Sequence, residues 1–132
     1  MRIVTAAVIV SRGAVLIARR KSRGGAEGFW EFPGGSLEEG ETLEECLERE
    51  LAEELGVVAV AGEVVAESRH CDERGALRLI ALRATIVSGE LSPVAHDEIA
   101  WVRPRDLLKY RLAPADIPIA ETLIGKKDVL GE

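Results

Sequence analysis

The stretch "GGSLEEGETLEECLERELAEELG", Gly34 to Gly56, holds nine glutamates in 23 positions. From Thr42 to Leu55 its apolar spacing is helical: Leu43, Leu47, Leu51 and Leu55 recur every four residues and sweep one side, with Cys46 at the edge. Thr42 followed three residues later by Glu45 is a capping box, and Gly56 supplies the stop. Glu44, Glu45 and Glu48 read as solvated charges. Glu50 and Glu54 differ, because an advance of about 100° per residue puts them within roughly 20 to 40° of the leucine arc, with Glu53 beside Cys46. Carboxylates at i, i+3 and i+4 repel one another on a patch that the leucines draw toward the core. Burying them unpaired is costly, and a neutral pair with raised pKa is one escape. A hard divalent cation is another: Mg²⁺ takes carboxylate oxygens and fills its remaining positions with water and substrate phosphate. The plain alternative is an amphipathic helix whose carboxylates snorkel to solvent.

The rest of the chain bounds these options. At 132 residues it is expected to form a single domain, 1–132, and its 47% hydrophobic and 30% charged content is that of a folded protein. A formal charge of −6 argues against a nucleic-acid polymer as partner, though not against a phosphate ligand that brings its own cations. The opening apolar run breaks at Ser11, Arg12 and Gly13, too early for a signal core, and no other run approaches the roughly 18 residues that span a bilayer. Cys46 and Cys71 form no CxxC and read as small apolar fillers. A cytoplasmic location with no membrane partner follows as the expectation; a homodimer is left open.

The coarse pattern is strand (3–11), tight turn at Arg12-Gly13, and strand (14–20), then a basic loop "KSRGGAEG" and the aromatic run "FWEFPGG". The acidic helix follows. Two further strands, 57–68 and 76–87, are expected on either side of a polar turn "RHCDERG", with a short last strand from Glu98. "RPRDLLKY" and "ADIPIAETLIG" read as helices opened by Pro104 and Pro114. This order predicts an α/β fold, a mixed β-sheet sandwiched between α-helices.

Gly35, five residues, Glu41, seven residues, Arg49-Glu50-Leu51, one residue, Glu53-Glu54, one residue and Gly56-Val57 resemble the Nudix box at every defined position. With "FWEFPGG", Arg19-Arg20 and "YRLAPADIPI", the chain resembles the MutT-like branch of the Nudix hydrolases over nearly its whole length. The resemblance implies the Nudix fold and a Mg²⁺-dependent nucleoside triphosphate pyrophosphohydrolase, with Mn²⁺ as a substitute ion. It would yield a monophosphate and pyrophosphate from cytosine nucleotides or oxidised dNTPs such as 8-oxo-dGTP, a nucleotide-pool sanitation role in DNA repair. Carried residue by residue, it makes Glu50, Glu53, Glu54 and the Gly34 carbonyl metal ligands, one glutamate also orienting the attacking water. Arg49 and Glu41 brace the loop against the helix, and Gly35 and Gly56 are structural.

For the substrate, the resemblance points to Arg20, and to Asp116 at the base; Phe32 is a further substrate-binding candidate. An ionised carboxylate only accepts hydrogen bonds, so Asp116 suits an edge offering donors, as in cytosine, guanine or 8-oxoguanine, and rejects thymine and uracil. A helix N-cap or first-turn acid after Pro114 is its plainer role. Phe29, Trp30 and Phe32 could form a stacking wall, though alternation lets only some face one cleft. Lys21 and Arg23 are candidates for steering the polyphosphate. Related proteins often carry a glutamate where this chain has Ala95, so the general base stays open between the helix glutamates and Glu98. His70 and His96, without ligand spacing, read as surface or core-bonded. A dinucleotide or ADP-ribose hydrolase is the enzymatic alternative; a nucleotide-sensing module that has lost catalysis is the non-enzymatic one.

Overall fold

A computed structural model describes residues 1–21, 28–94 and 96–125. Its strands are β1 (Arg2–Ser11), β2 (Ala14–Arg20), β3 (Trp30–Glu31), β4 (Val58–Asp72), β5 (Gly75–Ser88) and β6 (His96–Val102). The helices are α1 (Leu43–Leu55) and α2 (Ile117–Gly125), with 3₁₀ turns at Pro104–Lys109 and Pro114–Asp116. The strands join in one six-stranded sheet in the order β3-β2-β1-β5-β4, with β6 also on β2. β1 and β5 run parallel and the other pairs antiparallel, so the sheet is mixed, as expected.

Alternation along the central strands divides the core. Ala7, Ile9 and Leu16 pack under α1 with its Leu47, Leu51 and Leu55. Their neighbours Ala6, Val8, Val15 and Ile17 face the other way, against Ile119, Ala120 and Leu123 of α2 and Leu107 of the 3₁₀ turn.

The seam between β1 and β2 is two residue pairs long, Val10 with Val15 and Ser11 with Ala14, beside the turn at Arg12-Gly13. Both turn residues have positive φ, 51° and 78°, as a two-residue hairpin turn requires. Beyond that hairpin the strands part, and β2 takes β3 and β6 while β1 keeps β5. The segment ahead of α1 enters the gap and bonds to β1: Ala7 N donates to Pro33 O (2.7 Å), Thr5 N to Gly35 O (2.8 Å), and Leu37 N to Ile3 O (2.9 Å).

Three boundaries differ from the sequence reading. β4 and β5 continue through most of "RHCDERG", leaving a turn only at Glu73 and Arg74, because cross-strand pairs such as Arg69 with Arg78 and His70 with Leu77 extend the ladder. β6 begins at His96, two residues earlier than Glu98, since His96 still pairs with Arg20 of β2. "RPRDLLKY" is 3₁₀ rather than α, and Pro114 opens a separate 3₁₀ turn that leads into α2. Thr42 caps α1 as expected: its side chain accepts from Glu45 N (3.0 Å), and Glu45 Oε1 accepts from Thr42 N (2.9 Å). Gly56 closes the helix in the left-handed region at φ 70°. Replacing Thr42 with Ala is expected to lower the unfolding free energy by about 1 kcal/mol, read as a lower urea midpoint with unchanged slope.

Candidate active site

The Pro33–Leu37 ladder fixes the direction of every peptide in the loop. Pro33 and Gly35 carbonyls point at β1, so alternation turns the peptide groups of Gly34 away from β1, toward α1. Two glycines make this approach feasible. A Cβ on Gly34 would lie 2.1 Å from Thr5 O, and a Cβ on Gly35 would lie 2.3 Å from the Glu50 carboxyl carbon. The space that Gly35 leaves open is the space Glu50 occupies. Cys46, fully buried, is more than filler: its Sγ lies 3.4 Å from Ser36 O and 3.5 Å from Thr5 Oγ1, under the same loop.

Arg49 gathers the acidic groups. Its Nε and Nη2 hold both oxygens of Glu41 (2.6 and 3.0 Å), Nη2 also reaches Ser36 O (3.2 Å), and Nη1 donates to Glu50 (2.9 Å) and Glu53 (3.2 Å). This is the loop-to-helix brace expected of Arg49 and Glu41. The bidentate hydrogen bond from Arg49 is the main reason the Glu41 carboxyl is pulled down to about 2, and the same bond keeps the guanidinium charged. Of the remaining helix glutamates, Glu44 and Glu45 are exposed, but Glu48 is not simply solvated: its Oε2 accepts from Ala61 N (2.9 Å), at an irregularity in the β4–β5 ladder.

The three inward candidates have separate environments. Glu50 is largely buried, Glu53 is exposed except for its bond to Arg49, and Glu54 is the one that Arg49 does not reach. Glu54 Oε1 is buried and has no hydrogen-bond partner. Burial, then the charges of Glu50 and Glu31, push its carboxyl up to about 8, against a lowering hydrogen bond from the Gly34 backbone. Among the described residues no group of three or more His, Cys, Asp or Glu side chains is arranged to hold a metal ion by itself. An orphaned carboxylate oxygen beside a second acidic group, on the side to which the Gly34 peptide turns, nonetheless fits a hard cation that keeps water and phosphate among its ligands.

Between the helix glutamates and Asp116 stands a residue that the sequence reading passed over, Glu31 in "FWEFPGG", whose charge acts on both Glu54 and Asp116. Its carboxylate accepts from Arg20 Nε (2.8 Å) and from His96 Nε2 (2.9 Å). Period-two alternation could have found it, because Glu31 pairs with Ala18 and shares the face of Arg20 and Leu16. Asp116 is buried, and its Oδ1 accepts from Phe32 N (3.3 Å). Burial, then the charge of Glu31, raise its carboxyl to about 7, which amends the reading of Asp116 as a pure acceptor: near neutral pH it also exists as a donor.

Phe32 is a core side chain, so its backbone N–H rather than its ring meets the site. Trp30 packs edge-on to Tyr110 with ring centroids 5.1 Å apart, and Phe29 lies under Arg111, leaving no common wall of the three aromatics. Glu98 pairs with Arg19 (3.5 Å) across β2 and β6, on the side opposite Arg20 and Glu31 and apart from the helix glutamates. Lys21 is exposed. Arg23 and Ala95 lie outside the described residues. His96 is buried and bonded, the second of its two expected roles; His70 is half-buried on β4.

A mixed sheet between helices, with a glycine loop tied to a glutamate-bearing helix by one arginine, defines a fold and site suited to a cation and a polyphosphate together. The chain belongs to the NUDIX domain family, whose model matches residues 1–123. It is 38% identical over 122 residues to the CTP pyrophosphohydrolase of Escherichia coli K12, covering 92% of this chain and 90% of that protein. It is 35% identical over 131 residues to a putative 8-oxo-dGTP diphosphatase 2 of Mycobacterium tuberculosis, covering 94% of this chain and 92% of that protein. The solution structure of the E. coli ORF135 protein superposes with a TM-score of 0.85 at 37% identity, covering 95% of this chain and 89% of that one. Nudix hydrolases are in general dependent on divalent metal. No helix among the described residues is long and apolar enough to cross a membrane.

Glu54 has a consequence for stability in the absence of divalent metal. Its folded pKa of about 8 lies above the ordinary 4.5, so between these values the folded chain binds more protons than the unfolded chain. Stability therefore falls as pH rises across that window. In EDTA the urea midpoint is expected to drop from pH 5 to pH 8, and Glu54→Gln should flatten that slope. Equal slopes for the two proteins would assign the effect elsewhere.

Proposed function

We propose that this chain is a Mg²⁺-dependent nucleoside triphosphate pyrophosphohydrolase, converting NTP or dNTP and water to the monophosphate and pyrophosphate. The observation that carries the reading is the Glu54 carboxylate, whose buried Oε1 has no hydrogen-bond partner and which lies beside Glu50, with Glu31 close enough for its charge to act on both Glu54 and the buried Asp116. The names of the relatives support it, and they favour cytosine nucleotides and oxidised dNTPs such as 8-oxo-dGTP. Glu50, Glu53, Glu54 and the Gly34 carbonyl are the groups to hold the ion, with Mn²⁺ as substitute. The ion supplies charge neutralisation on the polyphosphate and a more acidic water. Arg49 holds Glu50 and Glu53 in place, and the free Glu54 Oε1 is the best placed oxygen to orient the attacking water and take its proton. Glu98, engaged by Arg19, is the weaker candidate for the base. Arg20 and Glu31 lie between the helix glutamates and Asp116, and Asp116 reads the base edge. Lys21 and Arg23 remain candidates for steering the polyphosphate. The partner is thus the nucleotide rather than a nucleic-acid polymer or a membrane.

A pyrophosphate-release screen in Mg²⁺ over normal, methylated and oxidised NTPs and dNTPs tests this. Turnover of CTP or 8-oxo-dGTP is expected, with a loss of at least about 100-fold in kcat for folded Glu53→Gln/Glu54→Gln protein. Binding without turnover of any triphosphate would favour a nucleotide sensor instead.

Asp116 makes base selection pH-dependent. Below about 7 its protonated form donates as well as accepts, and above that value it only accepts, so it increasingly requires a donor edge. The ratio of kcat/KM for CTP over UTP is expected to rise between pH 6 and pH 8 in the wild type and to stay flat in Asp116→Asn. A flat wild-type ratio would remove Asp116 from base reading.

A further inference from the structure

We propose that His96 is a positioning residue for the nucleotide-reading end of the cleft and acts through Glu31, an inference that rests on the hydrolase reading above. His96 is the first residue of β6, and its side chain is 1% exposed. It stands opposite Arg20 where the β2–β6 register shifts between Arg19 and Arg20, an irregularity of the kind that re-aims side chains.

Glu31 has one oxygen on Arg20 and the other on His96. These donors are unequal. The Arg20 side chain is 68% exposed, so water competes for its bond and the chain is free to swing to an incoming phosphate. His96 is closed off from water and cannot swing, which leaves it as the fixed donor that sets the direction of the Glu31 carboxylate. A carboxylate only accepts, so the facing Nε2 carries the hydrogen.

Stability does not account for an imidazole at this place. Its second nitrogen, Nδ1, is buried with no hydrogen-bond partner, an arrangement that an apolar side chain of similar volume would avoid. The bond to Glu31 is what the ring provides. Glu31 in turn is close enough to both Glu54 and Asp116 for its charge to act on each, so its direction affects the space between them.

Steady-state kinetics of His96→Leu, His96→Gln and wild type, with CTP and 8-oxo-dGTP as probes, test the proposal. For whichever probe the wild type turns over, His96→Leu is expected to raise KM at least about 10-fold while kcat stays within about threefold. His96→Gln, which keeps a donor, should recover most of that loss. In a Glu31→Ala background His96→Leu should add nothing, since both act on one contact. His96→Asn, too short to reach Glu31, replaces the Leu variant in every comparison if that variant does not fold. An unchanged KM, a failure of Gln to rescue, or additive effects with Glu31→Ala would each overturn the positioning role. A wild type that releases no pyrophosphate from any triphosphate would instead overturn the hydrolase reading.

Discussion

Three glutamates within five residues of one helix cannot sit against a protein core by themselves, and the single guanidinium of Arg49 resolves much of the conflict. It binds Glu50 and Glu53 on the helix, Glu41 and the Ser36 carbonyl on the loop, and so converts repulsion within α1 into attraction between α1 and its preceding loop. The loop is held from its other side by β1, through three backbone hydrogen bonds in the gap that the short β1–β2 seam leaves. On this helix the charge balance stays incomplete at Glu54, which none of the Arg49 bonds reaches and whose Oε1 is buried without a hydrogen-bond partner. Under the proposed function, that atom is where a cation and a water are useful.

The helix and its glycine loop were legible in the sequence because their causes are local. Capping by Thr42 and Glu45, the four-residue leucine spacing and the Gly56 stop each depend on neighbours in the chain, and all three appear as expected. The inward turn of Glu50 and Glu54 followed from the same angular argument, whereas Glu53, expected to face inward with them, is exposed, because it lies at the edge of the arc. Sequence spacing says nothing of partners that arrive from far along the chain. Glu48 read as solvated because the Ala61 amide that it accepts from lies beyond the helix, on β4.

The substrate end was harder to read for the same reason. Glu31, His96 and Arg20 meet only through the pairing of β2 with both β3 and β6; Arg20 was marked by resemblance and Glu31 could have been found by alternation, but neither signal says that the three converge. Asp116 was identified from its resemblance, yet its protonation depends on burial against Phe32 and on the charge of Glu31, which no local pattern encodes. Strand lengths failed at "RHCDERG" because polar residues there still satisfy a ladder on one edge, so polarity mimicked a turn.

The alternation that splits the core into two clusters has an evolutionary consequence. Side chains under α1 support the loop, Arg49 and the acidic patch, while those on the opposite face support α2 and the turn that carries Asp116. The two populations interleave along β1 and β2 but pack on opposite sides of the backbone. Under the proposed function, a substitution under α2 would reshape what the site recognises without loosening the groups assigned to the phosphates. One scaffold can diversify its choice of nucleotide while its chemistry is inherited intact.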